Sequence, residues 1–337
     1  MSVAGIPEAE LRSFTEHLKG SKRILALLGA GVSAASGLPT FRGVGGIWRS
    51  HKATDLATPE AFSVDPGLVW HFYNYRRHMS LVSHPNKAHY ALAALARKNP
   101  EFMTITQNVD GLSERASHPE SQLHRLHGSL FTVKCAQEYC TYSRDNDFQD
   151  PVVPALAIPK AFQPPTEDKT GETASRALQE AVDLRMQGEQ RQDPATSNEA
   201  GPSWAAARGE LDISDVSVPI LDLTEDDLPH CPECKEGLLR PGVVWFGERL
   251  PENTLDTIEA WIAAGKIDLV LVVGTSAQVY PAAGFVDDGR DMGARVAVVN
   301  MDRTHEPESG MYGCDWFFEG DASVILPEIL KEVIGEI

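Results

Sequence analysis

Ile24-Leu25-Ala26-Leu27-Leu28-Gly29-Ala30-Gly31-Val32-Ser33 is the stretch whose reading decides the fold. Five apolar residues in a row, without polar alternation, suit a strand buried on both faces, and such strands belong to parallel sheets covered by helices. The glycines that follow let the backbone turn tightly into a helix start, where amides favour an anion. Three further runs read alike: Phe102 to Thr106, Leu269 to Val273 and Val296 to Asn300. Each ends in polar or small residues, namely Gln107-Asn108, Gly274-Thr275-Ser276 and Asn300, and helical stretches separate them. Strands alternating with helices predict an α/β fold built on a Rossmann-like parallel sheet. Ligands of such sheets bind beyond the carboxyl ends of the strands, where these polar residues fall.

Thirty Lys and Arg against 48 Asp and Glu leave a formal charge of −18 over 337 residues. That field repels phosphate backbones and anionic lipid, so no direct nucleic-acid partner is expected. A lysine-rich protein partner suits it. No run of about 18 apolar residues is present, which predicts no membrane span. Near the N-terminus, Leu11, Phe14 and Leu18 share one helical face among Glu8, Glu10 and Glu16. These acids set the helix apart from an Arg-rich mitochondrial transit peptide, so the residues predict a cytosolic or nuclear location. A monomer is expected.

Five cysteines fit a reducing compartment better than a disulfide scaffold. Cys135 and Cys140 form C-x4-C, and Cys231 and Cys234 form C-x2-C. Four thiolates in two close pairs suit a closed, tetrahedral structural zinc site. Cys314 stands alone and reads as a buried structural thiol. The pairs divide the chain into a Rossmann-like domain over 1–134 and 240–337, with a helical small-domain segment near 45–85, and a smaller inserted zinc-binding module over 135–239. Within that module, about 160–228 holds fifteen acidic residues against six basic and reads as a flexible acidic insert. Thr173 to Gln187 is its one helical stretch, with Leu178, Ala181, Val182 and Met186 on one face.

The glycine turn continues as Gly29 to Gly43, GAGVSAASGLPTFRG. Gly31 and Gly37 stand too far apart for the ordinary G-x-G-x-x-G fingerprint, and no acidic residue follows about 20 positions later to hold a ribose. Phe41 and Arg42, just past a phosphate-binding turn, suit a lid over a sugar and base. Thr106-Gln107-Asn108-Val109-Asp110-Gly111 offers two amides and a carboxylate for ribose hydroxyls, a carboxamide or a held water, though Asn-x-Asp-Gly also suits a plain turn. His127 is apt for moving a hydroxyl proton near neutrality, against the commoner structural histidine. Val243-Val244-Trp245-Phe246-Gly247-Glu248 alone would be a core strand ending in a turn.

In this order and at these distances, GAGVSAASGLPTFRG, TQNVDG, His127-Gly128, VVWFGE and Gly274-Thr275-Ser276 closely resemble the sirtuin family of NAD-dependent protein deacylases, from about residue 20 to 330. The resemblance implies that Gly29, Ala30, Gly31, Ser33, Phe41 and Arg42 contact NAD, and that Gln107, Asn108 and Asp110 hold its ribose and nicotinamide. Gly274, Thr275, Ser276 and Asn300 would bind the adenosine side, closed by Asp321 and Ala322. His127, with Asn108, would be catalytic. Val244, Phe246, Gly247 and Glu248, facing Val279 and Tyr280, would clamp the substrate backbone as an added strand. NAD would be consumed as a co-substrate, yielding nicotinamide, free lysine and O-acyl-ADP-ribose.

Trp70 to Arg77 bears on the acyl group. On a helix Tyr73 and Arg76 share a face, and an arginine fork with a phenol suits a carboxylate. Spacing alone favours an ordinary amphipathic surface helix. With Ala57 in Asp55-Leu56-Ala57-Thr58-Pro59, the pair resembles the family branch typified by a mitochondrial desuccinylase and demalonylase. That implies acylated protein lysines as partners, with succinyl, malonyl and glutaryl preferred over acetyl, and makes a mitochondrial location a second possibility. A general deacetylase, a mono-ADP-ribosyltransferase and a hydride-transferring Rossmann oxidoreductase are the alternatives.

Overall fold

The computed structural model describes residues 5–40, 46–160 and 209–337. Phe41, Arg42 and the helix expected over Thr173 to Gln187 lie outside the described residues. Within them the strands are, in chain order, β1 (Ile24–Leu28), β2 (Ile47–Trp48), β3 (His51–Lys52), β4 (Phe102–Thr106), β5 (Leu123–Arg125), β6 (Gly128–Cys135), β7 (Ser143–Arg144), β8 (Leu239–Val243), β9 (Leu269–Val273), β10 (Arg295–Asn300) and β11 (Trp316–Glu319).

Six of them form a parallel sheet in the order β11-β10-β9-β1-β4-β5. Every residue of β1, β4 and β9 is buried, which is why their sequences are unbroken or nearly unbroken apolar runs. Helices Glu8–Gly20, Lys87–Lys98 and Ala322–Ile334 cover one face, with Phe14, Leu18, Leu95, Ile325 and Ile329 in its core. Phe14 meets Trp316 and Phe318 edge-on at 5.3 and 5.2 Å. Helices Glu252–Ala263 and Gly284–Asp291 cover the other face through Ile258, Ile262, Phe285 and Val286. The chain moves outward from β1 to β4 and β5, then returns to place β9 on the opposite side of β1. The crevice between β1 and β9 is therefore the topological switch point, where such sheets bind ligands.

A second lobe packs the helix Pro66–Val82 on the antiparallel sheet β7-β6-β8. Pro66 opens that helix, and the Asp65 carboxylate caps it by accepting from Leu68 N at 2.8 Å. Trp48, Phe62, Trp70 and Tyr73 share one core with Leu130, Val133, Leu239 and Trp245. Trp70 Nε1 donates to Leu239 O at 2.9 Å. Arg77, fully buried, donates to Leu130 O, to Asp147 O (2.7 Å) and to Gln149 O (3.0 Å), and pairs with Asp147 Oδ1 (3.3 Å). The boundaries read after 134 and before 240 fall inside β6 and β8, which pair with each other through Lys134–Arg240 and Cys135–Leu239. Strand pairing joins what a division by cysteine position separates.

Of residues 209–228, read as the end of a flexible insert, Ile213 and Leu228 are buried, while Val216 and Leu221 stay exposed. Arg49 explains this. Its guanidinium donates to Ile213 O, Asp215 O and Val218 O at 2.9–3.0 Å and to Val216 O at 3.1 Å, satisfying carbonyls that a loop would leave bare. Cys314 is exposed, contrary to the burial expected for it. Its neighbour Asp315 takes the interior position instead, paired with Arg290 at 2.9 Å.

Candidate active site at the strand switch

The glycine turn and the end of β9 interlock. Gly29 N donates to Val273 O at 2.9 Å and Gly31 N to Gly274 O at 2.8 Å. A Cβ on Gly29 would stand 2.6 Å from Thr275 Cβ, and one on Gly31 2.7 Å from Gly274 Cα. Only bare backbone fits this approach, which leaves a floor of peptide groups where a pyrophosphate can lie close.

Side chains from the other strand ends converge on that floor. Gln107 Nε2 donates to Thr275 Oγ1 at 3.1 Å, and Asn108 Nδ2 to Gly29 O at 3.0 Å. Asn300 Nδ2 donates to Thr275 O at 2.8 Å. The Asp110 carboxylate accepts from Ser33 Oγ at 2.7 Å and from Leu112 N at 2.9 Å. Gly320 N donates to Asn300 O at 2.9 Å, which brings Asp321 and Ala322 beside Asn300; Asp321 itself caps the last helix through Ser323 N at 2.7 Å. Ser276 follows at the exit of β9, half-buried. A pocket of amides, one carboxylate and backbone at a switch point matches the donor and acceptor set of a dinucleotide, so the chain's residues fit NAD.

His127 enters from the other side. Its Nδ1 lies 3.1 Å from Gln107 O, a carbonyl that can only accept, so Nδ1 carries the proton and Nε2 keeps a lone pair. Burial holds its pKa below the ordinary histidine value, against a smaller upward pull from that carbonyl. A neutral imidazole with a free basic nitrogen is the form a general base needs. His127 O also accepts from Val244 N at 2.9 Å, tying the histidine to the segment leaving β8.

That segment is exposed at Phe246 and Gly247, with Trp245 buried between them and the strand. Phe246 and Tyr280 are 49% and 58% exposed, and Phe246 N donates to Ala57 O at 2.9 Å. Val279 lies beside Tyr280, half-buried, and Gly247 holds a left-handed φ of +89° at the turn. The Glu248 side chain faces inward, bound by the Arg240 guanidinium and by Trp245 N at 2.8 Å. Val244 N, Trp245 N, Phe246 N and Glu248 N already donate within the chain, which leaves carbonyls and the exposed Phe246 ring on this stretch.

The two neighbouring arginines of the helix Pro66–Val82 have separate tasks. Arg77 is consumed by carbonyls within the lobe. Arg76 lies on the wall of a cavity of about 370 Å³ with Leu38, Trp48, Phe72, Met79 and Ser214. Burial pulls its pKa down, opposed by Tyr73 and Asp110, so it lies within electrostatic reach of the Asp110 side of the crevice. Tyr73 is fully buried, with the Trp245 side chain as the neighbour of its hydroxyl. Burial raises the Tyr73 pKa above the ordinary phenol value, so the hydroxyl stays a donor.

The four paired cysteines come together away from the crevice. Cys135 Sγ is 3.7 Å from Cys234 Sγ, Cys140 Sγ is 3.7 Å from Cys231 Sγ, and all four lie within 4.8 Å of one another. A tetrahedron with Zn–S bonds of about 2.3 Å has edges of about 3.8 Å, whereas a disulfide needs about 2.05 Å. The set fits a zinc ion with no open position.

Sequence reading passed over several residues that this geometry brings forward. His89 backs Ser33, Arg240 holds Glu248 and lies 3.3 Å from the Trp245 ring centroid, and Arg49 clasps 213–218. For His89 a signal existed: Asn86-x-x-His89 is an N-cap followed three residues later by a side chain that answers it.

The Sir2 family model matches residues 29–281, from the glycine turn to just past Tyr280. A Candida albicans protein named NAD-dependent protein deacylase is 41% identical, over 97% of this chain and 99% of its own length. Xenopus tropicalis NAD-dependent protein deacylase sirtuin-5, mitochondrial, is 36% identical, over 95% of this chain and 85% of its own. Among solved structures, a Sir2 homolog–NAD complex superposes with a TM-score of 0.65 at 30% identity, covering 97% of this chain and 94% of that one. A model matched over residues 29–281, with relatives of this identity along nearly the full length, places the chain in the Sir2 family, the sirtuins.

Proposed function

We propose that this chain is an NAD-dependent protein-lysine deacylase that prefers acyl groups ending in a carboxylate, namely succinyl, malonyl and glutaryl, over acetyl. The observation that carries the preference is Arg76 on the pocket wall with the buried hydroxyl of Tyr73, kept protonated by burial, one helical turn away. A guanidinium and a phenol donor in a partly dry pocket reward a carboxylate and leave an acetyl group's methyl without a partner. Ala57, buried and small beside Phe246, leaves room for the longer chain.

Gly29, Ala30, Gly31, Gly274 and Thr275 would cradle the pyrophosphate, Gln107 and Asn300 the riboses, and Asn108 and Asp110, with Ser33 behind them, the nicotinamide end. Bound NAD would supply an electrophilic ribose carbon with nicotinamide as leaving group; with one water consumed, the acyl group would depart as O-acyl-ADP-ribose and the lysine would be freed. His127 Nε2 would take the proton from a ribose hydroxyl, while its Nδ1–H bond to Gln107 O keeps the ring oriented. Phe246, Gly247 and Glu248 would pair with the substrate backbone opposite Val279 and Tyr280. Cys135, Cys140, Cys231 and Cys234 would hold one structural zinc, which takes no part in the chemistry.

The chain would act as a monomer on protein lysines, without nucleic-acid or membrane partners; no helix among the described residues is long and apolar enough to cross a membrane. A cytosolic or nuclear location is the reading of the acid-rich first helix, whose Phe14 and Leu18 are buried in the sheet's core. The vertebrate relatives carry "mitochondrial" in their names, and an exclusively mitochondrial tagged chain would reverse that placement.

The test of function is a mass-spectrometric comparison of succinyl and acetyl versions of one peptide with NAD. Wild type should favour succinyl. Arg76→Met should lower kcat/KM on the succinyl peptide about 10- to 100-fold, the scale of a lost charged hydrogen bond, and leave acetyl nearly unchanged. Equal rates on both peptides with wild type would refute the preference.

A further inference from the structure

The cavity beside Arg76 takes one wall from a stretch of chain outside every motif. Segment 210–223 runs against one face of the helix Pro66–Val82. His78 Nε2 lies 2.9 Å from Glu210 Oε2, the Tyr75 hydroxyl donates to Asp212 Oδ1 at 3.0 Å, and His71 Nε2 donates to Leu221 O at 2.9 Å. A Cβ on Gly67 would stand 3.2 Å from Leu223 Cβ. Positions 67, 71, 75 and 78 recur at helical spacing, so successive turns of the helix hold the segment. Tyr75 also lines the cavity of about 370 Å³, together with Phe72, Arg76 and Met79 from the helix and Ser214 from the segment. Ser214 is fixed at three atoms. Its N–H and Oγ–H donate to Asp212 Oδ1 at 3.0 and 2.6 Å, and its carbonyl accepts from Arg49 N at 3.0 Å. The hydroxyl proton is spent on Asp212, so Ser214 has none to give an acyl carboxylate.

We propose, on the reading of Arg76 as the partner of the acyl carboxylate, that Ser214 is a specificity-determining residue of the acyl pocket: it bounds the cavity that Arg76 lines and sets how long a dicarboxylic acyl chain may be. Arg76 is the one charged side chain on this wall among the described residues, so charge recognition belongs to it. What Ser214 contributes is volume, a small side chain on backbone pinned by Asp212 and Arg49. Malonyl, succinyl and glutaryl differ by one methylene each. A cavity of about 370 Å³, about a dozen waters at ~30 Å³ each, has room for the longest of them. The rest of the wall includes Leu38, Trp48, Phe72 and Met79, so a bulkier residue at 214 would take space that the pinned segment cannot give back. In an apolar pocket one methylene changes the rate about 10-fold or more, enough to reorder these three acyl groups.

The test is kcat/KM of the full chain with NAD on malonyl, succinyl, glutaryl and adipoyl versions of one peptide, with the NAD Kd measured alongside. Ser214→Leu should lower the glutaryl-to-malonyl ratio about 10-fold or more. Ser214→Gly, which opens the wall, should raise the adipoyl-to-succinyl ratio about threefold. Val216→Leu, on the same segment but with its side chain 66% exposed, should move neither ratio. An unchanged ratio in the Leu variant at 214 overturns the proposal. That holds whether all peptides slow together, which is general damage, or NAD binding weakens, which would put the nicotinamide end in this cavity. A shift of the same size in Val216→Leu overturns it too. Should Ser214→Leu not fold, the Gly variant decides, because it only removes atoms: a raised adipoyl-to-succinyl ratio upholds the proposal and an unchanged one overturns it. A wild type that prefers acetyl to succinyl would instead refute the reading of Arg76, before Ser214 is in question.

Discussion

Arg76 and Arg77 show what a sequence leaves open at the scale of one residue. Both are arginines on one helix, and periodicity places Arg76 with Tyr73, yet nothing in the string says that Arg77 will be spent on Leu130 O, Asp147 O and Gln149 O. Those acceptors come from a strand and a loop more than fifty residues on, beyond any local pattern. His127 was legible as a residue, but its protonation was not, since the tautomer follows from Gln107 O and the pKa from burial. The sign of its pH dependence follows. Burial lowers the folded-state pKa, so the basic form persists below the usual histidine value and is lost only as pH falls through the lowered one. kcat/KM for deacylation should therefore stay level from pH 8 through the ordinary value of about 6.5 and fall beneath it. A pH–rate profile whose acidic limb bends above that value would contradict His127 as the base. His127→Ala should cost about 10²- to 10⁴-fold in kcat while NAD still binds.

Elements were legible in proportion to how much of their partner they announce. β1, β4 and β9 show as apolar runs because helices cover both faces of a parallel sheet. β5, with Leu-His-Arg, and β11, four residues after a long loop, are too short and mixed to stand out. β6 and β8 pair across about a hundred residues of sequence, so their union is a fact of topology that no window of sequence contains. The glycine turn is the opposite case, a local signal whose reason is non-local: Gly31 is glycine because Gly274 lies against it. Gly31→Ala would put a methyl 2.7 Å from Gly274 Cα, a backbone atom that cannot swing aside. The expected cost is about 1–3 kcal/mol, read as a Tm several degrees lower, with NAD affinity lost more than acyl-peptide affinity. Gly20→Ala, with no atom within 4 Å of the added Cβ, is the control and should change neither. A Gly31→Ala protein that melts and binds NAD like wild type would mean that the interlock is looser than its distances.

At the scale of the molecule, the proposed site would draw on both lobes, which would make a distant metal matter to catalysis. The sheet lobe supplies the floor, Asn108, Asp110 and Asn300. The second lobe supplies Tyr73, Arg76 and the segment through Phe246, and Val244 N holds His127 O from that side. Cys135 ends β6, and Cys231 and Cys234 precede β8, so the four thiolates pin together chain segments 91 and 99 residues apart at the far end of the second lobe's sheet. Structural zinc contributes about 10–16 kcal/mol where folding depends on it, and removal leaves four clustered thiols without their shared ligand. The lobe's own core of Trp70, Leu130, Val133 and Leu239 would then hold β6 to β8 unaided. Stripping zinc with a chelator should speed amide exchange through β6, β8 and the helix Pro66–Val82 while β1, β4 and β9 keep their protection. Deacylation should be lost although no cysteine reaches the crevice, ADP-ribose binding should largely survive because its residues belong to the sheet lobe, and added zinc should restore both exchange and rate. Full activity in a sample shown by metal analysis to be zinc-free would break this argument at its premise, that the second lobe holds its half of the site only when its far end is closed.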